Sequence, residues 1–317
     1  MNSKKEKYIQ FCQEENIPLF SQVWWLDAVC GEFKWDVVLQ EKGGNVVASM
    51  PYYLKENNIV MPPLTQTMGV YFKYPKNQKY YKKLSFEKES IKKLLEQLPK
   101  VGFFSQNFYH SFLNWLPFYW EGYEQRTRYT YVVENVDMET FEKNLETDIR
   151  RRRRKAEEFG VKVYESEDIE TFYKVNKMTF ERKNMKMPYS FEFVKNLHEC
   201  CNKQGACKIF LAEDKDGNVI AGNFLVYDDS TVYYLMGGID PEKRDLGGMD
   251  VILYESVKFA LEEGKAFDFE GSMIESIEKY FRSFGAVQKH YFSISKTYSK
   301  MLRLKIAIKD VVKAIVR

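Results

Sequence analysis

The sequence has no uninterrupted apolar stretch long enough to span a membrane. Its amino terminus, MNSKKEKYIQF, is charged and lacks the apolar core of a secretory signal. These two absences argue against a membrane-spanning protein and against a secreted one. We therefore expect a cytoplasmic protein.

Metal-binding and disulfide patterns are missing as well. The cysteines are odd in number, include an adjacent pair and form no C-x-x-C motif, which does not suit a disulfide framework or a zinc site. The histidines are far apart and lack ligand spacing, so we expect no metal. The net charge of +3 is too small to indicate nucleic-acid binding by itself. These residues are Cys12, Cys30, Cys200, Cys201, Cys207, His110, His198 and His290.

What the chain does contain is an internal repeat. The string GNVVA at residues 44–48 recurs as GNVIA at residues 217–221, and each copy lies between apolar runs beside a charged turn. This pattern predicts a β-hairpin in each copy. A second echo follows in the same order, because GYEQRTRYTY starts at Gly122 and GAVQKHYFSI starts at Gly285. Two tandem domains of one fold explain both echoes.

Each copy shows the same order of predicted elements: a hairpin, a third strand, a helix, a strand, a helix and a last strand. The predicted fold class is α/β, an α+β sheet with flanking helices. We place the first domain at residues 1–134, the second at residues 135–297 and a C-terminal helix at residues 298–317. The second domain is predicted to begin with one continuous helix over residues 138–159.

Two segments resemble a known family. RRKAEEFGVKV at residues 153–163 resembles the segment that opens the second domain of Fem-type peptidoglycan aminoacyltransferases and BioF-like acetyltransferases. FDFEGSMIESIEKYFRSFGA at residues 267–286 resembles their strand, loop and helix near the C-terminus. The resemblance covers residues 18–296 and implies two tandem GNAT-like (acyl-CoA N-acyltransferase) domains. The long coiled-coil insertion of staphylococcal Fem enzymes has no counterpart here.

The resemblance implies a donor site where RDLGGM leads into an amphipathic helix. GNAT enzymes bind the donor pyrophosphate with backbone N–H groups at such a helix start, which favours anions. The candidates are Arg244, Leu246, Gly247 and Gly248, although Met249 stands where glycine or alanine is usual. The alternative is a plain glycine-rich turn into a helix. Because TMGVYFKYP in the first domain lacks the arginine and the paired glycines, we expect one donor site, for acyl-CoA such as acetyl-CoA, in the second domain.

Transfer to an amine needs a base, because an ammonium has no lone pair with which to attack. Strand alternation in FDFEG places Asp268 and Glu270 on one face, so either carboxylate is a candidate base. Tyr280 is the candidate for protonating the leaving group. The alternative is structural, with these carboxylates capping the next helix or pairing with an arginine.

Five consecutive arginines, residues 150–154, are the strongest charge signal. Arg152 falls within the apolar stripe of its predicted helix, so it should contact a carboxylate or line the groove between the domains, because an unpaired buried charge is costly. The resemblance places this helix at the site for an anionic precursor, with Arg151, Arg152, Arg154 and Lys155 as candidate ligands of phosphate or carboxylate. The alternatives are a solvated helix face and contact with tRNA phosphates.

The tail, residues 300–317, has one apolar and one basic face in helical projection. Such a helix can lie on an anionic membrane, which suits a lipid-linked substrate, or dock on its own domain. Both alternatives stay open from the sequence.

Together these features predict an N-acyltransferase that moves an acyl group from acyl-CoA to an amine of an anionic acceptor in one direct step. The acceptor is expected to be a small-molecule or lipid-linked precursor of the cell envelope, or a sugar-linked one, with the degenerate first domain shaping its groove. One alternative is a Fem-type aminoacyltransferase that uses aminoacyl-tRNA on a peptidoglycan precursor. Another is a catalytically inactive GNAT-like binding module.

Overall fold

The structure, a computed structural model, describes residues 3–182, 184–271 and 273–299. The tail helix predicted for residues 300–317 therefore lies outside the described residues. The helices are, in chain order, α1 (Ser3–Glu14), α2 (Val23–Cys30), α3 (Tyr80–Glu96), α4 (Leu116–Trp120), α5 (Met138–Asn144), α6 (Thr147–Glu158), α7 (Ile169–Glu181), α8 (Phe191–Lys203), α9 (Gly248–Glu262) and α10 (Glu275–Arg282). The strands are β1 (Trp35–Lys42), β2 (Asn45–Lys55), β3 (Asn58–Val60), β4 (Tyr71–Phe72), β5 (Phe103–Asn107), β6 (Glu124–Val133), β7 (Lys162–Ser166), β8 (Cys207–Glu213), β9 (Val219–Tyr227), β10 (Thr231–Ile239), β11 (Ala266–Asp268) and β12 (Val287–Thr297).

The chain divides into two compact units. Unit 1 comprises residues 3–128 and 290–299 of the described chain, and unit 2 comprises Tyr129–Lys289. Each unit has a sheet with flanking helices, so the predicted α/β fold class is confirmed. Among the described helices, none has both the length and the apolar character that crossing a membrane requires.

Unit 1 is built on the strand order β1-β2-β3-β5-β12, with β4 paired to β2. The first repeat forms the predicted antiparallel hairpin, in which Val38 lies opposite Met50. β3 and β5 run parallel, and β5 is antiparallel to the second half of β12. The apolar face of α3, with Ile91 and Leu94, packs in a core that includes Phe104, and these three side chains are fully buried.

Unit 2 has the strand order β6-β11-β10-β9-β8-β7. The second repeat forms its predicted hairpin, with Ile209 of β8 opposite Phe224 of β9. β10 pairs in parallel with β11 from Thr231 to Tyr233 and then continues to Ile239 along β9 alone. Since β11 stops at Asp268, the two strands part, and the chain leaves the end of β10 toward α9.

The single helix predicted for residues 138–159 is wrong. The chain forms α5 and α6 instead, because Leu145 is extended (φ −61°, ψ 134°) and the Glu146 N–H donates to the carbonyl of Ser283 at 2.9 Å. The break keeps Leu145 in the core, 2% exposed. Both helices still bury the predicted apolar stripe, since Phe141 of α5 and Ile149 of α6 are buried.

Candidate functional site

The start of α9 is shaped by a residue in the left-handed region. Gly247 caps the helix at φ +77°, and a Cβ there would lie 3.1 Å from the Cβ of Ala156 and 3.3 Å from the carbonyl of Arg152. Glycine is therefore required both by the backbone and by the close approach of α6. Within the described chain, the N–H groups of Gly248 and Met249 make no backbone hydrogen bond. Such unpaired donors, at the positive end of a helix dipole, form a place for an anion.

A cavity of about 820 Å³ opens at this helix start, entirely within unit 2. Its lining contains more cations than carboxylates, so it is an electropositive space. The cations are Arg151, Arg152, Lys155, Arg182, Arg244 and Lys279. The carboxylates are Glu146, Asp148, Asp245 and Asp250.

Most of these cations are not neutralised by a partner. Arg151 pairs with Asp148 at 3.1 Å and Arg152 pairs with Asp250 at 3.4 Å. The other four lining cations have no carboxylate within 4 Å in the part of the chain that the structure describes. Unpaired cations around a concave surface favour a ligand that carries several negative charges. These four are Lys155, Arg182, Arg244 and Lys279.

A tyrosine, a carboxylate and an arginine meet at the cavity wall. The Tyr280 hydroxyl donates to Oδ1 of Asp250 at 2.9 Å, and the Arg152 guanidinium lies 5.7 Å from the centre of the Tyr280 ring. Burial raises the pKa of Asp250, and Arg152, the Tyr280 hydrogen bond and Arg244 offset part of that rise. Burial and the Asp250 charge raise the pKa of Tyr280 well above its usual value, so its hydroxyl stays protonated.

Two helices bring this group together because each carries a charge on its apolar face. Arg152 lies on the side of α6 that buries Ile149 and Ala156. Asp250 lies three residues before the buried Leu253 of α9, so both face the same side of that helix. When the two apolar faces pack, the guanidinium and the carboxylate compensate each other. The contact of Arg152 with a carboxylate, expected from the sequence, is thus observed.

The FDFEG segment holds its carboxylates differently from the predicted alternation. β11 ends at Asp268, and Glu270 lies in the left-handed region at φ +57°. Asp268 is 1% exposed and accepts hydrogen bonds from the Thr130 hydroxyl and, at 2.7 Å, from the Glu270 N–H. Glu270 Oε1 is buried without a hydrogen-bond partner among the described residues, and burial followed by the Asp268 charge raises the pKa of Glu270. Placing Asp268 and Glu270 on one strand face is therefore wrong.

Gly271, the next residue, lies directly against strand β6. Gly271 has φ +62°, and a Cβ there would lie 2.1 Å from the carbonyl oxygen of Tyr129 in β6. The Phe269 N–H also donates to the carbonyl of Tyr131 at 3.0 Å. A strained backbone held this firmly is typical of functional sites, and this turn leads to the helix that carries Tyr280.

The cavity gathers about half of the residues predicted from the sequence. In its lining are Arg151, Arg152, Lys155, Arg244, Gly247 and Tyr280. Of the other predicted residues, all of them described, none belongs to the lining: these are Arg154, Leu246, Gly248, Asp268 and Glu270.

The residues outside the lining have identifiable surroundings. Leu246 packs against an apolar cluster around Ile220, and a Cβ on Gly248 would lie 3.0 Å from the Ile220 side chain. Arg154 is 74% exposed and reaches Glu158 at 3.9 Å, as on a solvated helix face. Gly248 still offers its N–H at the helix start. The functional roles of all predicted residues stay predictions.

Sequence reasoning missed several polar residues of the cavity, among them Asp250, Arg182 and Lys279. Asp250 had a readable signal, since it is an acid on the apolar face of a predicted helix, the same signal that selected Arg152. Arg182 and Lys279 stand near the ends of α7 and α10, where no local pattern points to the cavity. No group of His, Cys, Asp and Glu side chains suited to a metal ion occurs among the described residues.

Comparisons with known proteins bear on this site. Residues 143–281 match the model of the acetyltransferase (GNAT) domain. Among solved structures, FemX is 15% identical over 92% of this chain and 96% of its own, with a TM-score of 0.65. L-PGS from Bacillus licheniformis is 13% identical over 96% and 95%, with a TM-score of 0.58.

A third solved structure is the C-terminal domain (DUF2156) of a putative lysylphosphatidylglycerol synthetase from Agrobacterium fabrum. It is 10% identical over 97% of this chain and 94% of its own, with a TM-score of 0.57. No curated protein matches the sequence.

The GNAT match contains α6, α9 and nearly all of the cavity lining, so unit 2 carries an acetyltransferase (GNAT) domain, which supports an acyltransferase of the GNAT superfamily. Its fold is the FemX fold over nearly the whole chain, which makes it Fem-like in architecture. The family resemblance and the fold predicted from the sequence are thereby confirmed.

Proposed function

We propose that unit 2 transfers an acyl group directly to an amine, with the phosphates of the donor at the start of α9. One observation carries this proposal. The unpaired N–H groups of Gly248 and Met249 lie at the start of α9, and Met249 and Arg244 line a cavity that also has three further unpaired cations and a tyrosine–carboxylate pair. Anion-binding groups next to proton-transferring groups are what acyl transfer from a phosphate-bearing donor needs.

The chemistry requires proton movement as well as acyl movement. The ammonium nitrogen of the acceptor loses two protons overall; one ends on the leaving sulfur or oxygen and the other in solvent. In our proposal Asp250, whose pKa burial raises, takes the first proton. Tyr280 gives a proton to the leaving group and recovers one from Asp250 through their hydrogen bond. Glu270 and Asp268, the bases predicted from the sequence, are the alternative acceptors of the first proton.

Acyl-CoA is the favoured donor, because its pyrophosphate suits the start of α9 and the further cations suit an additional phosphate. Aminoacyl-tRNA is the second candidate, supported by the FemX fold across 92% of this chain. Both donors present an activated acyl group close to phosphates. The same cations therefore serve either donor, and binding experiments distinguish them.

The proposed acceptor is an anionic, small-molecule or lipid-linked, cell-envelope or sugar-linked amine. Arg151 and Lys155 line the cavity from α6, while Arg154, on the same helix, points away and is paired with Glu158. A phosphate or carboxylate of the acceptor would lie against the two lining residues. Such an acceptor suits a protein acting in the cytoplasm or at the surface of its membrane.

The experiment is a binding comparison on the full chain, with coenzyme A and tRNA as separate ligands and matched arginine variants. A ligand at one hundred times its Kd should stabilise the fold by about 2.7 kcal/mol, which thermal unfolding resolves. Arg244→Ala should weaken binding about 10- to 100-fold, because a charge-assisted contact to phosphate contributes about 1.5–3 kcal/mol.

Arg154→Ala is the matched control, since it removes an arginine that is exposed and outside the cavity. Its ligand affinity should equal that of the wild type. Stabilisation by tRNA but not by coenzyme A would replace the favoured donor with the second one. Equal losses in the two arginine variants would contradict the proposed phosphate position.

A further inference from the structure

Unit 1 exposes an unusual group of large apolar side chains. They come from the first turn of α3, from the loop before α4 and from α4 itself, and their exposed fractions run from 48% for Leu116 to 73% for Tyr80. Apolar side chains scattered singly on a surface need no explanation, but a contiguous set marks an interaction site. We call this set the aromatic patch: Tyr80, Tyr81, Leu113, Leu116, Tyr119 and Trp120.

The patch is contiguous because its three segments touch each other. Lys88 of α3 lies with its Nζ 4.8 Å from the centre of the Trp120 ring, which joins α3 to α4. Asn114 donates to Oε2 of Glu87 at 2.8 Å, which joins the loop to α3. Tyr80, Leu113 and Leu116 also line one cavity of about 560 Å³ in unit 1. Three of the exposed side chains therefore belong to one concave surface, and the contact between Lys88 and Trp120 joins α4 to the helix that carries Tyr80.

Lysines surround the patch and lack acidic partners. In the first half of α3 and in the loop before it, four exposed lysines have no carboxylate within 4 Å in the described part of the chain. The nearby acids are held elsewhere, since Glu87 is buried under hydrogen bonds from Tyr74 and Asn114, while Glu89 pairs with Lys93. Glu121 is the acid that remains exposed at the end of α4. The four lysines are Lys76, Lys79, Lys82 and Lys88.

We propose that the aromatic patch and its lysines dock unit 1 on an anionic lipid surface. Tyrosine and tryptophan rings prefer the headgroup level of a bilayer, where one end is apolar and the other wet. Lysines beside them are attracted to the negative surface potential of anionic lipids, while their stems lie along the apolar rim. This combination of charge and ring type fits a bilayer surface, and the proposal is independent of which donor unit 2 uses.

The test is co-sedimentation of the full chain with vesicles of phosphatidylglycerol mixed with phosphatidylcholine, and with vesicles of phosphatidylcholine alone. The wild type should bind the anionic vesicles and release them in high salt. The double variant Tyr80→Ser/Trp120→Ser should bind at least about tenfold more weakly, because two interfacial anchors are lost. Phe33→Ser removes a side chain that is 92% exposed and outside the patch, and it should bind like the wild type.

The contribution of charge is tested separately with two double variants, each of which replaces two lysines with glutamates. Lys82→Glu/Lys88→Glu should weaken anionic binding at least about 20-fold, since each lysine near such a surface contributes about fivefold. Lys55→Glu/Lys100→Glu changes the net charge equally at two exposed lysines outside the patch and should have a much smaller effect. All replaced side chains are exposed, so unchanged thermal unfolding should show that the fold is intact.

Two outcomes would overturn the proposal. One is anionic binding by the wild type that both patch variants retain in full, which would place the contact elsewhere in the chain. The other is a wild type that does not bind anionic vesicles but forms dimers in analytical sedimentation, with the dimers lost in Trp120→Ser. In that case the patch would be a contact between two copies of the chain.

Discussion

The two units place a cavity at the same step of their repeated fold and line it with opposite chemistry. In unit 2 the cavity follows β10 at the start of α9, and six cations and a single aromatic ring, that of Tyr280, face it. In unit 1 the cavity involves the loop around Gly69, before α3, and seven aromatic side chains with one lysine face it. The aromatic residues of unit 1 are Tyr71, Phe72, Tyr74, Tyr80, Tyr109, Phe112 and Trp115.

Each cavity nevertheless keeps a tyrosine that donates to a buried carboxylate. The pair is Tyr280 with Asp250 at 2.9 Å in unit 2 and Tyr74 with Glu87 at 2.8 Å in unit 1. The difference lies in the neighbours: Arg152 and Arg244 act on Asp250, whereas Lys83 lies 3.9 Å from Glu87. Similar polar pairs thus occur in both units, while the surrounding residues make one cavity electropositive and the other mainly aromatic.

The largest expected effect is a difference in stability loss between a glycine substitution in a turn of unit 2 and one in a turn of unit 1. Gly271→Ala should lose about 4 kcal/mol or more of stability, because its Cβ meets backbone at 2.1 Å in addition to the left-handed strain. Gly43→Ala in the first hairpin has a similar φ of +59° but nothing within 4 Å, so it should lose only about 1 kcal/mol. Urea unfolding of the two variants measures the difference. Equal losses would show that the turn before α10 is not held against β6 as described.

The next effect concerns the two tyrosines. Tyr280→Phe should lower kcat about 100-fold, because a proton-transferring group contributes about two to four orders of magnitude. Tyr74→Phe removes the matching hydroxyl of unit 1 and should leave kcat within about twofold, since in our account that cavity performs no chemistry. Steady-state kinetics on the identified donor measures both. A loss with Tyr74→Phe and none with Tyr280→Phe would reverse the roles of the units.

The hairpins of both units and the pairing of Arg152 could be predicted from the sequence, because each depends on a pattern of residues close together in the chain. Turn chemistry and alternation around the two GNV strings suffice for both hairpins. A charge within an apolar stripe was enough to predict that Arg152 contacts a carboxylate or lines a groove, and the first alternative is observed. The same rule applied to Asp250 would have found that partner.

The rest depends on contacts between distant residues. The break at Leu145 follows from a hydrogen bond between Glu146 and Ser283, and the left-handed turn at Glu270 goes with the approach of Gly271 to β6. The helix period and strand alternation describe single elements, so they could not show either feature. Consequently the carboxylates of FDFEG were the least accurately placed part of the predicted site.

The smallest effect is a pH dependence confined to unit 2. The pKa of Glu270 is raised in the fold, so ionising it costs stability above its unfolded pKa of about 4.3. Glu270→Gln should therefore stabilise the protein by roughly 1–2 kcal/mol at pH 7, and the gain should disappear below about pH 4. Glu56→Gln replaces an exposed glutamate of unit 1 at φ +54° and should show no such trend. A gain for Glu270→Gln that persists at pH 3 would contradict the charge as its cause.

Hydrogen–deuterium exchange on the full chain, with and without a saturating donor, tests the contrast between the units most directly. With coenzyme A or aminoacyl-tRNA bound, amides at the start of α9 and along α6 should exchange more slowly, because the phosphates would occupy their N–H groups and the neighbouring cations. Amides of unit 1 around Gly69 and the start of α3 should be unchanged. Protection of the unit 1 cavity with none at α9 would contradict the account.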